Sequence, residues 1–165
     1  MKQSTITCIL AVLFSLSYLS STAQEKNSIV KPKLENLSKM KKLTDETTLI
    51  MERFNNAFHR HDPTELPTLI HEQCIMESIQ GPDGIKYEGY EACLDFWKAL
   101  ATDPKTHFDV EEVFVSGDRA TIRWRYYWGN EKNNTVRGVN LMRVSDGKII
   151  EALGYAKTVG STGLD

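Results

Sequence analysis

The sequence predicts an α+β fold, a curved antiparallel sheet wrapped around three N-terminal helices. Apolar residues recur at spacings of three and four in the first part of the folded region, the mark of helices with one buried face. After Pro104 the pattern turns to long strand-like runs joined by short stretches dense in Gly, Asn, Asp and Ser, which force neighbouring strands to run antiparallel. Helices first and hairpins afterwards describe two packed layers, and a sheet curved around helices leaves a cavity between them. Composition permits a real core: 165 residues, 41% apolar and 25% charged, excludes disorder, collagen and a disulfide scaffold. With 20 Lys+Arg against 22 Asp+Glu the net charge is -2, which gives no general attraction to a phosphate backbone, so nucleic acid is not expected as a partner.

The chain opens with a signal-peptide pattern over 1–23: Lys2, an apolar run from Ile6 to Leu19, then the small residues Ser21, Thr22 and Ala23. Cleavage after Ala23 would export the protein to the periplasm or the exterior. The apolar run falls short of the ~20 residues that span a bilayer, so no stable membrane span is expected. Thr5, Ile6 and Thr7 before Cys8 do not make a lipid-attachment context. Residues 24–43 carry six lysines and two glutamates, a local charge of +4, and read as a lysine-rich linker. From Thr44 onward 13 Lys+Arg stand against 20 Asp+Glu, or -7, so linker and domain are opposite in sign.

The domain is expected over 44–159, with a tail at 160–165. Thr44 can cap a first helix whose Leu43, Ile50, Phe54, Ala57 and Phe58 share a face and which ends near His61. Asp62-Pro63-Thr64-Glu65 is a cap, a proline at the first helical position and a glutamate three after the cap, so a second short helix follows to about Ile70. Gln73 to Gln80 reads as a strand, Gly81 to Gly84 as a turn and Ile85 to Glu88 as a short extended piece. Cys93, Leu94, Trp97, Leu100 and Ala101 define a third helix over Tyr90 to Ala101. Four strands complete the chain: Thr106–Val115, Arg119–Trp128, Thr135–Val144 and Lys148–Thr158.

Several local phrases stand in a telling order: Met51-Glu52-Arg53-Phe54-Asn55-Asn56-Ala57-Phe58, the Asp62 corner, Glu88-Gly89 before a helix with Phe96-Trp97, Gly117-Asp118 leading into Ile122-Arg123-Trp124, and Val144-Ser145-Asp146-Gly147-Lys148-Ile149-Ile150. From about Thr44 to Val159 the sequence resembles the SnoaL-like and ketosteroid isomerase-like families, whose cystatin-like cone is shared with nuclear transport factor 2 and scytalone dehydratase. The fold hosts isomerases, dehydratases, hydrolases, cyclases and plain binding modules, so the resemblance does not imply one reaction. The isomerase branch implies an aspartate base on the first strand, with a tyrosine and a protonated aspartic acid across the cavity. Aligned through Arg53 and Asp62, the first-helix tyrosine falls on Phe54, the supporting tyrosine on Trp97, the base on Ser78 and the neutral acid on Asn140. Three of the four have lost ionisable chemistry and the fourth is an indole.

Period-two alternation puts Cys74, Met76 and Ser78 on one face of the first strand and Ile122, Trp124 and Tyr126 on one face of a later one. The family register implies that Asn140 and Met142, then Ile150, Ala152, Gly154 and Ala156, also point inward. The expected ligand pocket is therefore Phe54, Phe58, Met76, Trp97, Trp124, Tyr126, Met142, Ala152 and Gly154, apolar with a few polar points and suited to a small, flat, hydrophobic molecule. An aromatic stripe at this spacing is equally what a plain core looks like. Asn140, Ser78 and Glu77 are the candidate catalytic groups. Asn140 can orient a carbonyl and stabilise a developing oxyanion, a contribution of roughly 3 kcal/mol at other sites, but it cannot move a proton at neutral pH. Ser78 is too weak a base, and Glu77 is one residue out of register, reaching the cavity only through a bulge near Gly81.

His59, His61, Asp62 and His71 gather around the first corner, but residues two apart on a helix face different directions, so no metal and no cofactor is expected. His107 with Asp109 and Glu111 fits an exposed strand face. Cys74 and Cys93 allow at most one bridge and, among apolar neighbours, read as small buried hydrophobes. The sequons at Asn36 and Asn133 matter only in a glycosylating host. Arg123, Arg125, Tyr127, Arg137, Val139, Leu141 and Arg143 make an outer sheet face suited to a protein interface, through which the resemblance implies a homodimer. Three functions follow: an exported domain binding a small apolar molecule; an isomerase, cyclase or dehydratase acting next to a carbonyl with Asn140 as electrophile and Glu77 or a histidine as base; and a non-catalytic interaction module using the outer face.

Overall fold

The computed structural model describes residues 33–80, 83–129 and 134–157. The expected signal segment, the Asn133 sequon and the C-terminal tail lie outside the described residues. The chain divides into two units, Met1–Met40 and Lys41–Asp165. Of the first, the described residues 33–40 are helical and exposed. Among the described residues helix α1 covers 33–59, so Thr44 lies inside it and not at its start. No Gly or Pro interrupts 33–43, and its Lys, Leu, Glu and Met are good helix formers, which lets the helix extend back through much of the expected linker. Thr44 is no cap; its Oγ1 accepts a hydrogen bond from the Gly117 N–H at 2.9 Å.

At the corner after α1, His61 takes a left-handed φ of 51° and Asp62 caps the next turn by accepting from the Thr64 N–H at 3.0 Å. The helical piece is a 3-10 turn, Pro63–Glu65, continuing as α2, Leu66–Leu69. Glu65 does not close a capping box: its carboxylate takes the Arg53 guanidinium at 2.8 Å and so ties α1 to the corner. Strands β1 (Ile70–Glu77) and β2 (Lys86–Glu88), helix α3 (Tyr90–Thr102), and strands β3 (Thr106–Ser116), β4 (Arg119–Trp128), β5 (Thr135–Ser145) and β6 (Lys148–Ala156) follow. Gly89, at φ 86°, turns the chain into α3 where a side chain would be strained, and its N–H bonds to the Cys74 carbonyl at 2.8 Å.

The six strands form one sheet in the order β2-β1-β6-β5-β4-β3. β3 to β6 make the expected antiparallel meander, but β1 runs parallel to β6, so the sheet is mixed. It is curved and unclosed, with β2 and β3 at its edges, and the register breaks that bend it fall in three places. In β3 the shift lies between Val110 and Glu112. In the β5–β6 pair Val144 faces Ile149 while Arg143 faces Glu151, so Ile150 is the extra residue. Ile149 is consequently fully buried and Ile150 only half-buried, a correction to the inward position expected for Ile150. The third break lies between Ile70 and Ile75 of β1.

The core lies between this sheet and the helices and centres on Met51, Leu66, Leu69, Ile70, Ile122, Met142 and Ile149, each at most 1% exposed. Full burial of each such side chain contributes about 1.5–3 kcal/mol. Cys74 and Cys93 belong to it as free, buried thiols; burial pushes both thiols up, and the Cys93 Sγ–H points at the Cys74 carbonyl oxygen, 3.5 Å away. On the outer face the arginines do not stand alone. Glu111 meets Arg137 at 2.6 Å, Arg123 at 3.2 Å and Arg125 at 3.7 Å, and Glu151 meets Arg119 at 3.0 Å.

Gly138 is the closest approach in the sheet. A Cβ there would overlap the Trp124 ring and the Tyr155 carbonyl oxygen. Gly138→Ala is therefore expected to lower stability by about 1–3 kcal/mol, read as a drop in the urea midpoint at constant slope. An unchanged midpoint would show that the indole does not rest on this glycine.

Candidate functional site

The inward faces of the sheet and the helices enclose a cavity of about 170 Å³. Its helical walls are Phe54, Asn55 and Phe58 of α1 and Phe96, Trp97 and Leu100 of α3. Its sheet walls are Met76 and Glu77 of β1 with Ser78, Ile79 and Gln80 beyond it, Phe108 and Val110 of β3, Ile122, Trp124 and Tyr126 of β4, Asn140 of β5, and Ala152 and Gly154 of β6. All the expected pocket residues except Met142 border it; Met142, 1% exposed, packs in the core away from the cavity. The expected aromatics are joined by Phe96 and Phe108, which carry no sequence signal beyond helical and strand spacing.

The aromatic side chains are both core and wall. Trp97, Phe54, Phe58, Phe108 and Trp124 form a chain of edge-to-face contacts with centroids 5.1, 4.9, 5.7 and 5.6 Å apart. This geometry sets the positive ring edge of one against the negative face of the next and holds the walls apart. On the sheet side Ala152 and Gly154 border the cavity, and Gly154 is closely approached by its neighbours. A Cβ at Gly154 would lie 3.0 Å from the Glu77 carbonyl oxygen and 3.5 Å from Asn140 Oδ1. An apolar cavity of ~150 Å³ is enough to take up benzene, so the void matches a single ring.

Among the polar groups that border the cavity, the orientation of Asn140 is determined. Trp124 Nε1 donates to Asn140 Oδ1 at 3.1 Å. An indole N–H can only donate, so the amide must turn its oxygen to Trp124 and its NH2 away. That NH2 has no protein acceptor among the described residues, and Asn140 borders the cavity. Tyr126 is half-buried; burial, with Asp103 nearby, pushes its phenol up, against a smaller opposing effect of the Thr106 hydroxyl, so it stays a neutral group at physiological pH. Ser78 is 6% exposed and holds the turn after β1: its Oγ accepts from the Ile85 N–H at 3.3 Å and the Gln80 N–H at 3.4 Å.

Glu77 also borders the cavity, with its carbonyl oxygen beside Gly154. Its Cα partner across the sheet is Lys86, whose ammonium feels its charge, and its side chain follows Ile75 onto the opposite face. The histidines also stay outside. The His61 Nδ1 sits 3.1 Å from the Ala101 carbonyl, so it carries the proton and pins the α1 corner to the end of α3. His71 Nδ1 accepts from the Gln73 N–H at 3.0 Å. His107 meets Asp109 at 2.8 Å on the exposed face of β3, where its hydrogen bond holds the Asp109 carboxyl below the usual carboxylate range. No three His, Cys, Asp or Glu side chains gather to hold a metal ion among the described residues. Among the described residues that border the cavity Glu77 is the one carboxylate, and strand alternation sets it with its partner Lys86 toward the opposite face; no imidazole or amine side chain is among them.

Residues 51–152 match the family model of the SnoaL-like domain. The chain belongs to the SnoaL-like family. An NTF2-like protein of unknown function from Mesorhizobium loti is 54% identical, with 70% of this chain and 93% of that one covered and a TM-score of 0.65. A steroid delta-isomerase from Pseudomonas aeruginosa is 16% identical over 69% of this chain and 81% of its own, with a TM-score of 0.57. An LEH-like epoxide hydrolase from M. tuberculosis is 14% identical over 69% and 80%, with a TM-score of 0.55. The last two share the fold alone. No curated protein matches the chain. The described residues of this SnoaL-like protein include no helix long and apolar enough to cross a membrane.

If the indole fixes the amide, Trp124→Phe leaves Asn140 Oδ1 without its donor. Stability is then expected to fall by about 1–3 kcal/mol, and the Asn140 side-chain NH2 resonances should broaden in NMR spectra as the amide gains a second orientation. Sharp, unshifted resonances in the variant would refute the assignment.

Proposed function

We propose that this SnoaL-like domain binds a small, uncharged, mostly apolar molecule bearing a hydrogen-bond acceptor, and that it does so without chemistry. The observation that carries this reading is the Asn140 amide, turned by Trp124 so that its NH2 is free, in an aromatic cavity whose one bordering carboxylate, Glu77, is set by strand alternation with Lys86 toward the opposite face. A ring stacked among Phe54, Trp97 and Trp124 supplies burial, and a carbonyl directed at Asn140 supplies orientation, the usual division of labour in a small-molecule site. The isomerase, cyclase and dehydratase readings each need a base, and neither Glu77 nor a histidine takes that place.

The test is a fluorescence titration of the two cavity tryptophans with acetophenone and with ethylbenzene, a ring of similar size that lacks the acceptor. Acetophenone should bind more tightly. In Asn140→Asp, which still accepts from Trp124 but loses both donors, its affinity should fall about tenfold or more while ethylbenzene changes less. Equal binding of the two probes by the unaltered protein would remove Asn140 from the site.

The same reading makes the protein exported, trimmed after Ala23, and paired over the outer sheet face. There the arginines are already matched by Glu111 and Glu151, and Leu141, Phe114 and Tyr155 remain 42%, 65% and 51% exposed. Native mass spectrometry of the protein purified from its own host should show a dimer of chains beginning at Gln24. A monomer with residues 1–23 retained would contradict both points.

A further inference from the structure

A second hollow of about 410 Å³ lies between α1 and β3, lined by Thr44, Thr48, Glu52 and Asn55 on the helix and Val113 and Val115 on the strand. Asn55 borders both hollows. On the strand side Val110 belongs to the aromatic cavity and Val113 to the groove. They are 42% and 39% exposed, although their β4 partners Trp124 and Ile122 are buried. Two inward-facing valines in succession are exposed because α1 does not cover the edge strand there.

The bulge in β3 keeps this passage apolar. In unbroken alternation Phe108 and Val110 would be followed inward by Glu112. The shift between Val110 and Glu112 sets Val113 opposite Ile122 and leaves Glu111 and Glu112 with the arginines of the outer face. On the helix side the two threonine hydroxyls already have partners. The Thr48 hydroxyl donates to the Thr44 carbonyl at 2.8 Å, and the Thr44 hydroxyl already accepts from Gly117. Only Glu52, exposed at the groove, carries charge, and it disfavours an anionic end.

Resting on the reading above, we propose that cavity and groove are one site whose ligand is a single-ring carbonyl compound with an unbranched, uncharged alkyl chain. The ring lies in the cavity with its carbonyl at Asn140, and the chain passes Asn55 and Val110 to lie along Val113 and Val115.

The test is a series of phenyl alkyl ketones, from acetophenone to octanophenone, titrated into the full chain. A methylene wholly buried is worth about fourfold in affinity and one lying in an open groove about half that free energy, so affinity should climb about twofold per added methylene. In Val113→Asp, and separately in Thr48→Phe, which fills the groove from the helix side, that rise should flatten. Acetophenone binding with no gain along the series, or a rise that persists in both variants, overturns the groove while leaving the cavity reading intact. Failure of every ketone, acetophenone included, overturns both.

Discussion

Trp124 has one hydrogen to donate, and where it goes decides what the cavity can bind. The indole lies over the bare backbone of Gly138 on one side and reaches Asn140 two residues further along the same neighbouring strand. Three residues in one stretch of two paired strands thus define the floor, the orientation and the polarity of the interior. Were Gly138 any other residue, the ring would be lifted away from β5 and the amide would be free to rotate. The close backbone approach and the fixed amide are therefore one feature.

This arrangement sets which polar groups the cavity presents. A base needs to sit within reach of the proton it takes, and Ser78, just past the end of β1 on the cavity wall, has a hydroxyl that already serves two backbone N–H groups. The nearest carboxylate, Glu77, is turned to the other face by strand alternation. Steroid delta-isomerase and epoxide hydrolase share the cone with this chain at low identity, so the fold itself does not decide the reaction.

Much of this was legible in the sequence because it rests on periodicity. Strand alternation alone placed Cys74, Met76, Trp124 and Tyr126 inward and Glu77 outward, and turn composition marked the hairpins of the meander. What escaped was whatever breaks period. Ile150 and Ile149 exchange roles because of an extra residue in β6, which no composition announces. Met142 points inward as alternation requires, yet the curvature of the sheet puts it against packed side chains and not against the void. Glu65 sits where a capping box would place it and is drawn instead to Arg53, a partner twelve residues earlier that only the corner geometry brings near. Gly138 did carry a signal, since a glycine inside a strand marks close approach, but what approaches it is tertiary information.

The parallel pairing of β1 with β6 joins the early part of the domain to its last strand. Until β6 has been synthesised, β1 has only the three-residue β2 beside it, and the aromatic interior stays open to water. Contacts so distant along the chain form slowly and leave partly made sheets prone to association. The order of synthesis therefore delays completion of the hollow until β6 has been made, and a chain stopped before Lys148 would bear its greasiest surface without that strand to complete the wall.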